Sequence, residues 1–194
     1  MAGAKARPYI NRTPPCYAPP MGERRKTIRL ATENYRGRRI YFVTLCCLNR
    51  RRTFASEAPA RQLLDQLIAC TALHDFSLHA YCLMPDHLHI LVEGRGDACD
   101  LTRFVAEFKQ KTAFDYRKRT GLSLWQSRYY DHILRKGDDA ENVAWYIWTN
   151  PIRKGLCAAP QDYPFSGSLA IDWKDRCAPA RLWAPSWKAR GPLL

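Results

Sequence analysis

At the centre of the chain stands Met84-Pro85-Asp86-His87-Leu88-His89-Ile90-Leu91-Val92-Glu93. Two histidines one residue apart open an apolar, β-branched run just after a proline, so a strand begins at His87. Successive side chains of a strand point to opposite faces. His87 and His89 therefore share one face, and Leu88, Ile90 and Val92 share the other. The two imidazoles stand roughly 6.6 Å apart along the strand, within reach of a single cation. Neutral imidazole is the commonest side-chain metal ligand, and two of them leave coordination positions open for a substrate. The same pair on a solvated strand face is ordinary surface, and the motif alone does not separate the two readings.

Working outward, residues 76–83 alternate as a second strand, and Met84-Pro85-Asp86 turns the chain back as its antiparallel neighbour. Upstream, Arg39-Ile-Tyr-Phe-Val-Thr-Leu-Cys-Cys47 is β-branched and aromatic and reads as a buried strand, closed by Asn49-Arg50-Arg51-Arg52. Between these strands Ser56 and Glu57 open a helix with Pro59 in its first turn, and Leu63, Leu64, Leu67, Ile68 and Thr71 recur at helical spacing. Downstream, Gly94-Arg95-Gly96-Asp97 ends the hairpin, and residues 101–119 form a helix with Phe104, Val105, Phe108, Thr112 and Tyr116 on one face, stopped by Gly121. Residues 129–135 read as a fourth strand. The order strand, helix, strand, strand, helix, strand is the ferredoxin-like βαββαβ order of an α+β domain.

A last helix is expected over residues 138–152, with Asp138, Asp139 and Glu141 in its first turn and Arg153-Lys154-Gly155 at its exit. It carries Trp145-Tyr146-Ile147-Trp148-Thr149-Asn150-Pro151, in which Tyr146 and Asn150, four apart, share a face. The expected division is a basic, mobile arm over 1–38, one domain over 39–156, and an irregular basic tail over 157–194 whose Trp173, Trp183 and Trp187 lie among lysines and arginines. Those indoles either stack bases or pack back on the domain.

Composition narrows the partner. The 194 residues, 46% hydrophobic and 12% aromatic, suffice for one well-buried domain. The 31 Lys and Arg against 18 Asp and Glu give a formal charge of +13, which concentrates polyanions and points to nucleic acid. Eight cysteines form no Cys-x-x-Cys pair, and residues 1–20 lack the apolar run of a secretory leader. Reduced thiols and a cytoplasmic location are expected. No run approaches the roughly 18 apolar residues of a membrane span, so no membrane is expected as a partner.

A cation held by His87 and His89 can polarise a phosphodiester and orient it. Tyr146 supplies a phenol, a weak nucleophile at its ordinary pKa near 10 until a nearby cation favours the phenolate. Asn150 supplies a neutral oxygen one turn on. Alternatively Tyr146 belongs with Trp145 and Trp148 to a core stripe. Tyr116, Tyr129 and Tyr130 are rival nucleophiles, though none is followed four residues later by Asn or Gln. Arg50, Arg51, Arg52, Gln126, Arg128 and Arg135 are candidate DNA contacts, to phosphate or base edge; His132 serves as well as a structural hydrogen-bonding group.

The His87-Leu88-His89 strand, the later Tyr146-x-x-x-Asn150 helix and the strand order resemble the single-tyrosine HUH transposases of the small insertion-sequence type. Trp125-Gln126, Tyr129-Tyr130-Asp131-His132, Arg135, Tyr146-Ile-Trp-Thr-Asn150-Pro151 and Asp162-Tyr-Pro-Phe-Ser166 resemble more closely the REP-associated tyrosine transposases, over residues 39–167. The resemblance implies a ferredoxin-like sheet with an added C-terminal, tyrosine-bearing helix, Mg2+ or Mn2+, and nicking and rejoining of single-stranded DNA beside a hairpin through a 5′-phosphotyrosine. It carries over His87 and His89 as metal ligands, Asn150 as third ligand and Tyr146 as nucleophile, in a monomer or homodimer. The alternative of another class is a non-catalytic module that holds single-stranded nucleic acid on the same sheet.

Overall fold

The computed structural model describes residues 32–179 and 183–184. The β-branched and aromatic run forms β1 (Ile40–Cys46). α1 (Glu57–Leu73) starts behind Ser56 with Pro59 in its first turn, where a missing N–H leaves no helical bond unmade. β2 (Phe76–Met84) and β3 (His87–Gly94) follow, joined at Pro85-Asp86. α2 (Leu101–Thr120) is capped by Asp100, whose Oδ1 accepts from Thr102 N at 2.9 Å and Arg103 N at 3.1 Å, and it ends at Gly121 with φ +72°, a left-handed conformation that suits glycine. β4 (Tyr130–Ile133), α3 (Ala140–Trp148), α4 (Asn150–Arg153) and β5 (Ser166–Gly167) complete the order.

The sheet runs β4-β1-β3-β2-β5 with every neighbour antiparallel. Its first four strands have the ferredoxin-like order expected from the sequence. α1 and α2 bury Leu63, Leu67, Phe104 and Phe108 against one face, where they meet Val43, Leu45, Leu88 and Ile90. α3 covers the other face, packing Val143, Tyr146 and Ile147 against Phe42, Cys82, Met84 and Leu91. Each such side chain removed from water contributes about 1.5–3 kcal/mol, and burial on both faces explains why β3 is apolar almost without interruption.

The alternation of β2 is broken by a bulge. Leu78 pairs with Val92 but Ala80 with Leu91, so His79 is an extra residue. Phe76 and Leu78 face α1 and α2 before it, and Leu83 does so after it, while Ala80, Cys82 and Met84 face α3.

Three expectations change. The helix expected over 138–152 is interrupted at Thr149, because Pro151 has no N–H to offer the Ile147 carbonyl; the Asn150 side-chain Nδ2 donates to it instead, at 3.3 Å, and to the Tyr146 carbonyl at 3.0 Å. The stretch 157–194 is not all irregular tail. β5 extends the sheet beside β2, with Trp148 Nε1 donating to Gly167 O at 3.0 Å and the Tyr163 hydroxyl donating to Leu83 O at 2.9 Å. Within the expected arm, Tyr35 is buried and its hydroxyl donates to Asp131 Oδ2 at 2.8 Å. Residues 1–31 lie outside the described residues, as does Trp187. Trp173 packs back on the domain, stacked on Trp148 with ring centroids 4.4 Å apart.

Among the described residues no helix is long and apolar enough to cross a membrane.

Candidate active site

The register of β1 against β3 sets Thr44 opposite His89 and Cys46 opposite His87. Both histidines lie on the face that α3 covers, and each is only 6% exposed. They are not solvated surface. His87 Nδ1 lies 2.6 Å from Asp86 Oδ1, and His89 Nδ1 lies 2.7 Å from Thr44 Oγ1. The two Nε2 atoms converge at 3.1 Å, with the rings near perpendicular at 84°. A carboxylate on Nδ1–H leaves the lone pair of a neutral imidazole on Nε2, which is how a ligating histidine is commonly oriented.

Behind His87 the chain of contacts continues. Arg50 Nε lies 3.0 Å from Asp86 Oδ2, and Arg50 Nη1 donates to Cys46 Sγ at 2.9 Å. Burial pushes the Asp86 carboxyl up, but the hydrogen bond and charge of His87, then Arg50, outweigh it and hold the carboxyl below its ordinary range. Burial pushes the Cys46 thiol up, with Arg50 opposing it. Asn49 and Arg50 both have φ of +54°, an uncommon left-handed conformation for residues with side chains, and the turn they make delivers Arg50 to Asp86.

α3 lowers Tyr146 onto this floor. Its ring is 4% exposed and sits edge-on to Phe42 at 6.0 Å and to His89 at 6.3 Å between centroids. Trp183 stands against it at 5.2 Å, with its backbone N–H donating to Asn142 Oδ1. The Arg153 guanidinium carbon lies 4.4 Å from the Tyr146 ring centroid, and Arg153 Nη2 donates to the Tyr146 carbonyl at 2.7 Å. Burial pulls the Arg153 pKa down, partly offset by the charge of Tyr146. Tyr146 is thus both a core side chain and a neighbour of the paired imidazoles.

Among the described residues no group of three or more His, Cys, Asp or Glu side chains could hold a metal ion. The structure brings two imidazoles together, whereas the contacts of the Asn150 side chain are to its own helix and not to the histidines. Two nitrogens about 2.1 Å from one octahedral cation, at a right angle, stand about 3.0 Å apart. The observed 3.1 Å separation of the Nε2 atoms matches that spacing. Asn150 is committed through Nδ2 to the Tyr146 and Ile147 carbonyls, so the amide oxygen is the end it can offer a cation.

The remaining candidates divide. Arg50 belongs to the histidine site through Asp86. Arg51 Nη2 donates to the Ser123 carbonyl, and Arg52, Arg128 and Arg135 are exposed. Gln126 is half-buried beside the end of β1, its N–H donating to Cys46 O at 2.9 Å. His132 Nε2 lies 3.1 Å from Asp138 Oδ2. Of the rival tyrosines, Tyr116 and Tyr129 pack on the α1/α2 face, away from the imidazoles. Tyr130 lies on their face, opposite Thr44. Sequence reading missed Thr44, Asp86 and Arg153. Asp86 adjoins His87 and Arg153 lies two helical turns beyond Tyr146, so both carried a local signal; Thr44 becomes visible only once β1 is paired with β3.

The sequence profile of the family described as "Transposase IS200 like" matches residues 38–150. A protein of Haemophilus influenzae named as a REP-associated tyrosine transposase is 22% identical over 138 residues, 66% of this chain and 78% of its own length. The REP-associated tyrosine transposase of Escherichia coli K12 is 28% identical over 145 residues, 69% of this chain and 83% of its own. A solved structure of a REP-associated tyrosine transposase bound to a REP hairpin superposes with a TM-score of 0.61 at 24% identity, covering 84% of this chain and 100% of that one. That likeness establishes the fold. On the match over 38–150 the chain belongs to the IS200-like transposase family, enzymes of DNA strand cleavage and transfer, and two of its relatives carry the name of REP-associated tyrosine transposases, as the motifs from His87 to Ser166 anticipated.

Proposed function

We propose that the chain nicks and rejoins single-stranded DNA beside palindromic hairpins, through a covalent 5′-phosphotyrosine at Tyr146, with Mg2+ or Mn2+ on His87, His89 and Asn150. The observation that carries this reading is the contact of Tyr146 with a buried imidazole pair whose Nε2 atoms converge at 3.1 Å. The hairpin comes from the related protein solved on a REP hairpin, and the basic surface of this chain, at +13, suits such a partner.

Asp86 and Thr44 hold the two rings at their Nδ1 atoms, leaving both Nε2 atoms to meet on the far side at 3.1 Å. A divalent cation there would supply charge to polarise the scissile phosphate. The phenol oxygen of Tyr146 forms a bond to phosphorus and loses its proton, while the P–O3′ bond breaks and the 3′ oxygen takes up a proton. The strand's 5′ end stays on Tyr146, and reversal by a 3′ hydroxyl rejoins a strand. Phe42, Trp183 and α3 hold the ring in a setting poor in water.

The test incubates the protein and Tyr146→Phe with labelled single strands carrying the palindromes nearest the gene, a scrambled strand as control, in manganese with and without chelator. A covalent adduct on a denaturing gel that vanishes in Tyr146→Phe and with chelator is the expected result. Tight binding with no adduct in any metal would identify a non-catalytic binding module instead.

A further inference from the structure

Arg153 stands out among the cations near the site because no carboxylate among the described residues pairs with it, whereas Arg50 pairs with Asp86. Its guanidinium lies over the Tyr146 ring at 4.4 Å, with Nη2 on the Tyr146 carbonyl and Nη1 on Thr149 Oγ1 at 2.5 Å. A guanidinium has five N–H donors, so these two bonds leave most of the fork open. The position follows from the break between α3 and α4. Pro151 and the Asn150 side chain disrupt the regular ladder, and Arg153, reaching back toward the helix N-terminus, adds a donor to the carbonyl of the very residue whose ring it covers. A guanidinium with no carboxylate partner among the described residues, lying over the ring of the proposed nucleophile and open on its outer side to solvent, is placed to take an anion.

We infer that Arg153 binds the scissile phosphate and then the phosphotyrosine it becomes, holding nonbridging oxygens with the donors not used by the Tyr146 carbonyl and Thr149. This rests on the reading of Tyr146 as nucleophile. Bidentate donation to phosphate is the geometry for which arginine is suited. Charge accumulates on those oxygens as the phenol attacks, so Arg153 would act on the transition state and on the intermediate more than on free DNA. It is a catalytic residue in this assignment, not only a cap for the broken helix.

Two measurements separate these roles. The first compares the rate of adduct formation in the unaltered protein, Arg153→Lys and Arg153→Gln, with folding checked by circular dichroism. Loss of about 100-fold is expected for Arg153→Gln, and a smaller loss, about tenfold, for Arg153→Lys, which keeps a point charge without the fork. The second uses Tyr146→Phe, which cannot form the adduct, and measures binding of the mapped strand with either its natural scissile phosphate or a neutral methylphosphonate there. With Arg153 present, neutralising that one phosphate is expected to weaken binding about tenfold; with Arg153→Gln added, the penalty falls below about twofold. A purely structural role would leave the penalty equal in both. Arg153→Met, which keeps a long side chain and removes the guanidinium, takes the place of Arg153→Gln should the latter not fold. Adduct formation by Arg153→Gln at the unaltered rate, or equal methylphosphonate penalties, overturns the assignment of Arg153 while leaving Tyr146 in place. Absence of any adduct with the unaltered protein overturns the nucleophile reading, and this assignment with it.

Discussion

The Thr44 hydroxyl, 2.7 Å from His89 Nδ1, holds one ring in position as Asp86 holds the other. Such outer partners fix the ring and its tautomer, and their loss costs about 10–100-fold in metal affinity. Thr44→Val keeps the shape and removes the hydrogen bond. We expect manganese affinity, measured by titration calorimetry on the metal-free protein, to fall within that range while far-ultraviolet circular dichroism stays unchanged. The His-x-His pair itself was legible in the sequence because strand periodicity assigns its face. That it is buried was not legible, since burial comes from α3, which begins more than 50 residues later in the chain. Tyr146 shows the converse: a core side chain and a neighbour of the histidines read as alternatives from the sequence, and the packing makes it both.

At the scale of the element, the α3–α4 junction gives Asn150 a structural duty that exists without any metal. Asn150→Ala should lower stability in chelator by about 1 kcal/mol, the worth of a buried hydrogen bond lost. Adding Pro151→Ala restores a backbone N–H for the Ile147 carbonyl, so the cost of Asn150→Ala should fall by more than half in that background, read by urea unfolding. A residue that served only as a ligand would show no cost in either. The start of α2 offers a pH test. Burial pushes the Asp100 carboxyl up, but Thr102, Arg103 and Arg36 bond it and hold it below its ordinary value. A carboxyl depressed in the folded state stabilises fully above its unfolded pKa of about 3.9 and loses that contribution as pH falls through the folded value. Asp100→Ala should therefore cost about 1 kcal/mol at pH 7, and the difference from the unaltered protein should shrink progressively as the pH is taken below about 4. The elements that sequence placed well, α1, α2 and β3, all have long periodicity or a clear cap. β5 was missed because two residues have no period, and its place is set by pairing with β2 and by Tyr163 and Trp148.

For the whole molecule the governing quantity is the excess of positive charge. Binding of a single strand should weaken linearly in a plot of log affinity against log salt, with a slope of about −0.7 per phosphate neutralised. Arg52→Gln and Arg128→Gln, at exposed positions, should each make the slope shallower by about 0.7 if that arginine meets a phosphate, measured by fluorescence anisotropy. Arg50→Gln should act differently, through Asp86 and the histidines, lowering manganese affinity. Composition points to a class of partner but not to which arginines are exposed and which pair with carboxylates, because that is decided by the fold.

The bulge at His79 amounts to a phase slip in a two-sided pattern. Upstream of it, even-numbered residues of β2 belong to the layer under α1 and α2; downstream, even-numbered residues belong to the layer under α3. Either half of the strand can therefore be in step with its own layer only while the spacer residue is present. The two cores are keyed to one another like the two sides of a zip, and the loss of a single tooth would set Cys82 and Met84, the neighbours of His89 and His87 across β2 and β3, out of step with Phe76 and Leu78. The histidine side of the sheet is in this sense indexed from the side that α1 and α2 cover.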